Sequence, residues 1–92
     1  MRFAVYIIES VSSGQYYIGC TGDLQKRLEY HNAGKSRWTR GRGPWRLVYE
    51  ERHSTRGEAL RRERQIKRMK SREQVQRLVD LHRANREQSS SS

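Results

Sequence analysis

The apolar residues of this 92-residue chain are gathered into a few short segments, which limits the fold to a small core. Hydrophobic residues make up 33% of the chain, and the mean hydropathy is −1.14. A chain of this size buries only about 60–65% of its unfolded surface. The longest apolar run, Phe3–Ile8, is far shorter than the roughly 20 residues that span a bilayer. We therefore expect one domain over residues 1–86, no membrane association, and a disordered polar tail at 87–92.

Cysteine usage and the N-terminal sequence indicate the compartment. Cys20 is the only cysteine, so an intrachain disulfide and a cysteine-based zinc cluster are both excluded. The first residues lack the longer apolar run and the small-residue cleavage site of a signal peptide. We therefore predict a protein of the reducing cytoplasm.

Positive charge is concentrated in the second part of the chain. The sequence holds 20 Lys and Arg against 10 Asp and Glu, a formal net charge of +10. Residues 1–34 carry three basic and three acidic side chains, whereas residues 35–86 carry 17 basic and six acidic ones. A GC-rich coding sequence would also raise the arginine content, but the uneven distribution favours a surface that binds polyanions. We expect DNA as the partner and leave RNA open.

The pattern of apolar residues predicts an α+β domain in the order ββαβα(α), a small three-stranded antiparallel sheet flanked by helices. The predicted strands are residues 3–9, 15–19 and 45–50, and the predicted helices are 24–32, 55–69 and 71–83. Asp23 and Thr55 precede the first two helices and have side chains that cap helix N-termini. Glu58, three residues after Thr55, completes a capping box.

The first two strands place tyrosines near one another. With a four-residue hairpin loop at 10–13, Tyr6 lies directly opposite Tyr17 on the same face of the sheet. A five-residue loop would put them on opposite faces, because a one-residue slip reverses every side chain. Ordinary strand packing would also explain each tyrosine taken singly.

Glu63 lies on the apolar side of the predicted second helix. At about 100° per residue, with Ala59 at 0°, Leu60 falls at about 100°, Ile66 at about 340° and Glu63 at about 40°. An unpaired buried carboxylate is costly, so such a residue is usually paired, protonated or bound to a metal ion. The pattern leaves two interpretations open: a structural salt bridge to an arginine, or a functional carboxylate.

Arg27 and His31 are neighbours on the predicted first helix, because they are spaced i and i+4. Both fall within the broad face that also holds Leu24 and Leu28. They could simply lie at the edge of the apolar stripe, with Arg27 extending to solvent. They could also form a polar pair that faces the sheet.

Taken together, these residues resemble the GIY-YIG nuclease superfamily. The resemblance covers roughly residues 3–80 and is closest to the small standalone bacterial members, which are related to the N-terminal nuclease domain of UvrC. The matching segments are Ala4-Val5-Tyr6, Tyr17-Ile18-Gly19, Arg27, His31, Arg40, the run from Pro44 to Tyr49 and the run from Ala59 to Lys67.

The resemblance implies a metal-dependent endonuclease that hydrolyses DNA phosphodiester bonds, with DNA repair or processing as its setting. The family's two motif tyrosines match Tyr6 and Tyr17, and its helix arginine matches Arg27. The position four residues after that arginine is His31. The family's metal-binding glutamate matches Glu63, which would hold one Mg²⁺ or Mn²⁺ ion.

Each of these groups has a use in phosphodiester hydrolysis. Mg²⁺ keeps several waters and takes further ligands from phosphate, so it suits a lone carboxylate such as Glu63. The planar guanidinium of Arg27 could bridge phosphate oxygens. Tyr17 could act as general base, and Tyr6 or His31 could orient the water or relay its proton. The sequence leaves the division of roles among these three residues open.

The basic segments would bind the substrate. Arginines interleaved with tryptophan can hold phosphates while the ring stacks on unpaired bases. The candidate nucleic-acid-binding residues are Arg37, Trp38, Arg40, Arg42, Arg46, Lys67 and Lys70. Branched or damaged DNA would suit this combination.

Two alternatives to an independent nuclease remain open. The chain could be a non-catalytic DNA- or RNA-binding module that keeps the fold and the basic surface. It could also be a nuclease subunit that needs a protein partner. Metal-dependent cutting that requires Glu63 would distinguish the enzyme from the binding module.

Overall fold

The computed structural model describes residues 3–69 and 71–90, with side chains described as far as residue 85. The elements are β1 (Phe3–Ser10), β2 (Tyr16–Thr21), α1 (Leu24–Asn32), β3 (Trp45–His53), α2 (Arg56–Lys67) and α3 (Arg72–Ser90). The three strands form an antiparallel sheet in the order β2-β1-β3. The predicted α+β class, the antiparallel sheet and the element order are confirmed.

The alternation of side chains along β1 divides the small core into two layers. Ala4, Tyr6 and Ile8 face one side of the sheet and pack with Leu24 of α1 and with Trp45, so we call this side the α1 face. Val5 and Ile7 face the other side, which we call the α2/α3 face. They pack there with Tyr49, Ala59, Ile66, Val75 and Val79.

The helix ends follow the capping residues in the sequence. The Asp23 carboxylate accepts a hydrogen bond from the backbone N–H of Lys26 at 3.1 Å, and the Thr55 hydroxyl accepts one from the N–H of Glu58 at 3.2 Å. Each bond satisfies a donor that the first turn of a helix leaves unpaired. These caps fix where α1 and α2 begin, and hence which of their side chains turn towards the sheet.

The hairpin register differs from the prediction. Tyr6 pairs with Gly19, and Tyr17 pairs with Ile8, so the predicted Tyr6–Tyr17 pairing is wrong by two residues. The loop is longer than the predicted four residues, since residues 10–15 separate the paired Glu9 and Tyr16, and Gly14 closes it with a φ of +77°. A shift of two residues preserves the face, so Tyr6 and Tyr17 still lie on the same side of the sheet.

All three strands and the last helix extend beyond their predicted ends, β3 and the last helix by three residues or more. The third strand continues to His53 instead of ending at residue 50, and a bulge between its pairings with Ile7 and Ile8 accommodates one extra residue. The last helix continues to Ser90, past its predicted end near residue 83 and into the predicted tail. Residues 84–88 contain no helix breaker, and most are good helix formers. In the described parts of the chain, no helix is long and apolar enough to cross a membrane.

Candidate active site

A chain of buried hydrogen bonds connects β1, α1 and the loop at 33–44. The Tyr6 hydroxyl lies 2.9 Å from Nε2 of His31, and Nδ1 of His31 lies 2.8 Å from the Thr39 hydroxyl. All three side chains are almost completely buried. Polar groups at this depth are costly unless every one has a partner, so the chain holds the imidazole in one orientation.

Tyr17 completes an aromatic cluster around this chain. Its ring centroid lies 4.8 Å from that of His31 in an edge-on arrangement and 6.4 Å from that of Tyr6. Tyr6 fits because its cross-strand partner is Gly19, where a Cβ would lie 2.5 Å from Cζ of the tyrosine ring. The smallest residue of β2 therefore makes room for the ring that contacts the histidine.

The surroundings of Tyr6 and His31 keep both side chains uncharged. Burial raises the pKa of Tyr6 to about 12, and hydrogen bonding to Arg27 opposes this shift only in part. Burial also lowers the pKa of His31, and the positive charge of Arg27 lowers it further. At neutral pH the pair is therefore a phenol beside a neutral imidazole, an arrangement that can accept a proton.

Arg27 lies beside the cluster with unused hydrogen-bonding capacity. Its guanidinium carbon is 4.7 Å from the ring centroid of Tyr30, and hydrogen bonding to Tyr6 raises the pKa of the guanidinium. Among the described residues, none is a hydrogen-bond partner for its buried Nε. A buried donor without a partner is rare in folded proteins, so the surrounding fold does not fully satisfy the guanidinium of Arg27.

Glu63 lies on α2, within electrostatic range of Tyr6. Its carboxylate forms an ion pair with Lys67 at 3.0 Å, and only 16% of its side chain is exposed, against 52% for that of Lys67. The partner is thus a lysine one turn along the same helix, and the predicted alternative of an arginine partner is not what the structure shows. The carboxylate lies close enough to Tyr6 for its charge to contribute to the raised pKa of that phenol.

The donor set around Glu63 is compatible with a hard cation that keeps most of its waters. Among the residues that the structure describes, no three His, Cys, Asp or Glu side chains gather into a metal-binding cluster. The protein ligand for such a cation would be the Glu63 carboxylate. Mg²⁺ is commonly held by one or two carboxylates together with water and substrate phosphate, so the site fits Mg²⁺.

The basic loop contributes to a cavity next to the cluster. The cavity has a volume of about 560 Å³ and its walls include Tyr17, Trp38, Arg42, Trp45 and Lys67. Trp45 is buried, as expected for a core residue, whereas Trp38 is 71% exposed. Three of the predicted nucleic-acid-binding residues, Trp38, Arg42 and Lys67, are thus brought together beside Tyr17.

The other predicted nucleic-acid-binding residues are placed differently. Arg37 and Arg40 are exposed on the loop. Arg46 lies on the α2/α3 face, away from the cluster, and pairs with Glu9 at 2.6 Å because the two residues are cross-strand neighbours. Lys70 lies outside the described residues.

Thr39 is the site residue that sequence reasoning missed. Its hydroxyl meets His31, and its carbonyl oxygen accepts the indole N–H of Trp45 at 3.0 Å. Within a loop of arginines and glycines, a threonine gives no periodic or chemical signal of burial. Only the tertiary contact with His31 reveals its function of orienting the ring.

Comparison with known proteins identifies the family to which this fold belongs. The model of the GIY-YIG catalytic domain matches residues 2–79. A UPF0213 protein of Halobacterium salinarum is 47% identical over 66 residues, which is 71% of this chain and 84% of that protein. A UPF0213 protein of Halalkalibacterium halodurans is 40% identical over 82 residues, which is 88% of this chain and 85% of that protein.

A solved structure extends the similarity to three dimensions. The solution NMR structure of a UPF0213 protein from Bacillus halodurans superposes with a TM-score of 0.57 at 40% identity, covering 88% of this chain and 85% of that one. The chain belongs to the GIY-YIG family, which is a family of nucleases, and its similar relatives are small proteins named UPF0213. The resemblance found in the sequence is confirmed.

Proposed function

We propose that this protein is a divalent-cation-dependent endonuclease that hydrolyses phosphodiester bonds in DNA. The observation that supports this most directly is the convergence of Tyr6, His31 and Arg27, with Glu63 within electrostatic range. Structural clusters rarely leave a buried guanidinium N–H without a partner, as the described residues leave that of Arg27. A basic cavity next to the cluster gives a polyanionic substrate access to it.

The hydrogen bonds suggest a path for the proton that the attacking water must lose. Because the guanidinium of Arg27 beside Tyr6 can only donate hydrogen bonds, we assign the phenolic proton to the bond from Tyr6 to Nε2 of His31. Nδ1–H of His31 then donates to Thr39. Tyr6 could pass its proton to the neutral imidazole as it receives one from water, with Tyr17 orienting that water.

The charged residues would bind and polarise the phosphate. Arg27 would donate from its guanidinium to a phosphoryl oxygen and oppose the negative charge that develops in the transition state. Glu63 would hold Mg²⁺ or Mn²⁺ after it exchanges its partner Lys67 for the cation. When bound, such an ion polarises the phosphoryl oxygen and stabilises the leaving oxygen.

The proposal is tested by incubating supercoiled plasmid and branched oligonucleotides with the protein in Mg²⁺, in Mn²⁺ or in EDTA. We expect cutting with either metal and none in EDTA, and a loss of about 10²-fold or more in Glu63→Gln. Glu58→Gln is the matched control because Glu58 is a more exposed carboxylate on the same helix. It should cut like the unsubstituted protein.

Two results would contradict the proposal. Cutting in EDTA, or full activity of Glu63→Gln, would exclude the assigned metal site. Tight binding to every probe without cutting would favour a non-catalytic module with the same fold. Activity that arises only when a cell fraction is added would instead show a nuclease that depends on a partner.

A further inference from the structure

The cavity beside Tyr17 combines aromatic rings with positive charge. It lies at β2, an edge strand of the sheet, and its volume of about 560 Å³ is within the range of small-ligand pockets. None of the described residues that line it is acidic, whereas Arg42 and Lys67 contribute two cationic groups. This composition suits a ligand that is flat and aromatic in one part and anionic in another, as a nucleotide is.

The two tryptophans of the cavity differ in burial, and hence in how much each contributes to the core. Trp45 is 5% exposed, and its indole N–H donates to the Thr39 carbonyl oxygen, so it forms part of the core. Trp38 is 71% exposed, the largest fraction among the large exposed hydrophobic residues. In a chain with so few apolar residues, an indole that contributes little to the core indicates a binding surface.

We propose that this cavity binds the base of an unpaired nucleotide adjacent to the phosphate that is cut. Trp38 stacks on the base, while Arg42 and Lys67 contact the neighbouring phosphates. In a duplex, adjacent base pairs cover both faces of each base, so only an unpaired base can lie flat on Trp38. The inference rests on the proposed nuclease function and specifies its substrate as DNA with a single-stranded segment at the cutting position.

Tyr17 and Lys67 connect this subsite with the candidate catalytic residues. Tyr17 lines the cavity, and its ring centroid is also 4.8 Å from that of His31. Lys67 lines the cavity, and its ammonium group pairs with Glu63. A base held in the cavity therefore lies next to Tyr17, and its own phosphate can reach the cluster.

Binding measurements without cleavage test the subsite separately from the reaction. The Glu63→Gln background in EDTA is titrated against a short single-stranded DNA and against the same sequence as a blunt duplex. We expect Trp38→Ala to weaken single-strand binding about 10-fold and duplex binding less than about 2-fold. Trp38→Phe should keep most of the affinity because it retains an aromatic face. Leu81→Ala, an exposed apolar residue on α3, is the control and should change neither affinity.

The outcomes separate this inference from the proposed function. Equal losses on both probes, or no loss on either, would overturn the subsite even if the protein cuts DNA with Mg²⁺. A loss confined to the single strand would support the subsite, and it would do so even if no DNA were cut and the proposed nuclease function failed. Circular dichroism of Trp38→Ala verifies the fold, which should be unchanged because the side chain is exposed.

Discussion

The two faces of the sheet each carry a network built from a tyrosine, a histidine and an arginine, yet only one has the features of a reactive site. On the α2/α3 face, Glu51 accepts hydrogen bonds from Tyr49, from His53 at 2.7 Å and from Arg62 at 3.0 Å. Burial alone would raise the pKa of Glu51, but these hydrogen bonds and the charge of Arg62 outweigh it, and the net pKa is lowered.

The network on the α1 face has no central carboxylate. The Tyr6 and Thr39 hydroxyls both bond to His31 while all three side chains stay uncharged, and among the described residues none partners the Nε of Arg27. The carboxylate within electrostatic range, Glu63, belongs to α2 and is held by a half-exposed lysine on that helix, a type of pair that is worth only about 0.3–0.5 kcal/mol. On the α2/α3 face these residue types are fully paired and stabilise the fold. On the α1 face the same residue types leave a hydrogen-bond donor unpaired among the described residues, and this is the property expected of a site that binds a ligand.

The largest expected difference between the two networks is in the cutting rate after one tyrosine hydroxyl is removed from each. We expect Tyr6→Phe to lower the cutting rate by about 10²-fold or more, because it removes the group that links water to His31. Tyr49→Phe should leave the rate within about 3-fold, although it disturbs the bond to Glu51. Single-turnover rates on a labelled oligonucleotide measure both. Equal losses in the two variants would show that the α1 face has no special function.

For stability, we expect the larger effect from the network on the α2/α3 face. Glu51→Gln should lower the free energy of unfolding by about 1–3 kcal/mol, because three donors lose a charged acceptor. Glu50→Gln is the control, since Glu50 lies one residue away and pairs only with the exposed Arg52. It should change stability by less than about 1 kcal/mol. Urea denaturation distinguishes the two, and the idea of a structural network fails if both variants are equally stable.

The pKa of His31 tests the described electrostatic surroundings on the α1 face. Burial and the charge of Arg27 lower its pKa, so its NMR titration midpoint should lie below the ordinary value of about 6.5. The unfolded chain then binds this proton more readily than the folded one, and the contribution of His31 to stability is lost as the pH falls below that value. Arg27→Gln should move the midpoint upward. A midpoint at or above 6.5 in the unsubstituted protein would contradict the described surroundings.

The smallest expected effect is on the salt dependence of DNA binding. Arg42 lines the cavity and is exposed, whereas Arg46 lies on the other face and pairs with Glu9. We expect Arg42→Ala to reduce the slope of log affinity against log salt concentration by about one unit, as for one lost phosphate contact. Arg46→Ala should leave the slope nearly unchanged. Similar slopes in the two variants would remove the distinction between these arginines.

Local signals in the sequence were sufficient for the element order and for most of the candidate site. Asp23 and Thr55 cap the helices where their side-chain chemistry predicted, and the i, i+4 spacing correctly made Arg27 and His31 neighbours on α1. These features depend on residues close together in the chain, so one sequence is enough to read them.

Features that depend on tertiary contacts could not be predicted in the same way. The hairpin register depended on Gly14, whose positive φ is a property of the closed loop and not of the residue type alone. The burial of Thr39 depended on a histidine eight residues away, and the partner of Glu63 depended on which cation the packing of α2 left nearest. The hairpin register, the burial of Thr39 and the partner of Glu63 are each determined by tertiary packing, and local sequence does not distinguish the possible arrangements.

The contact between Tyr6 and Gly19 has a consequence for how variants of this protein can be interpreted. Even a single methyl group at position 19 would displace the phenol from the imidazole. Such a variant is expected to lose the buried Tyr6–His31 hydrogen bond and to be less stable, because the added methyl group overpacks the core. A defect at this glycine would therefore report a blocked space between two strands, since position 19 contributes no functional group of its own.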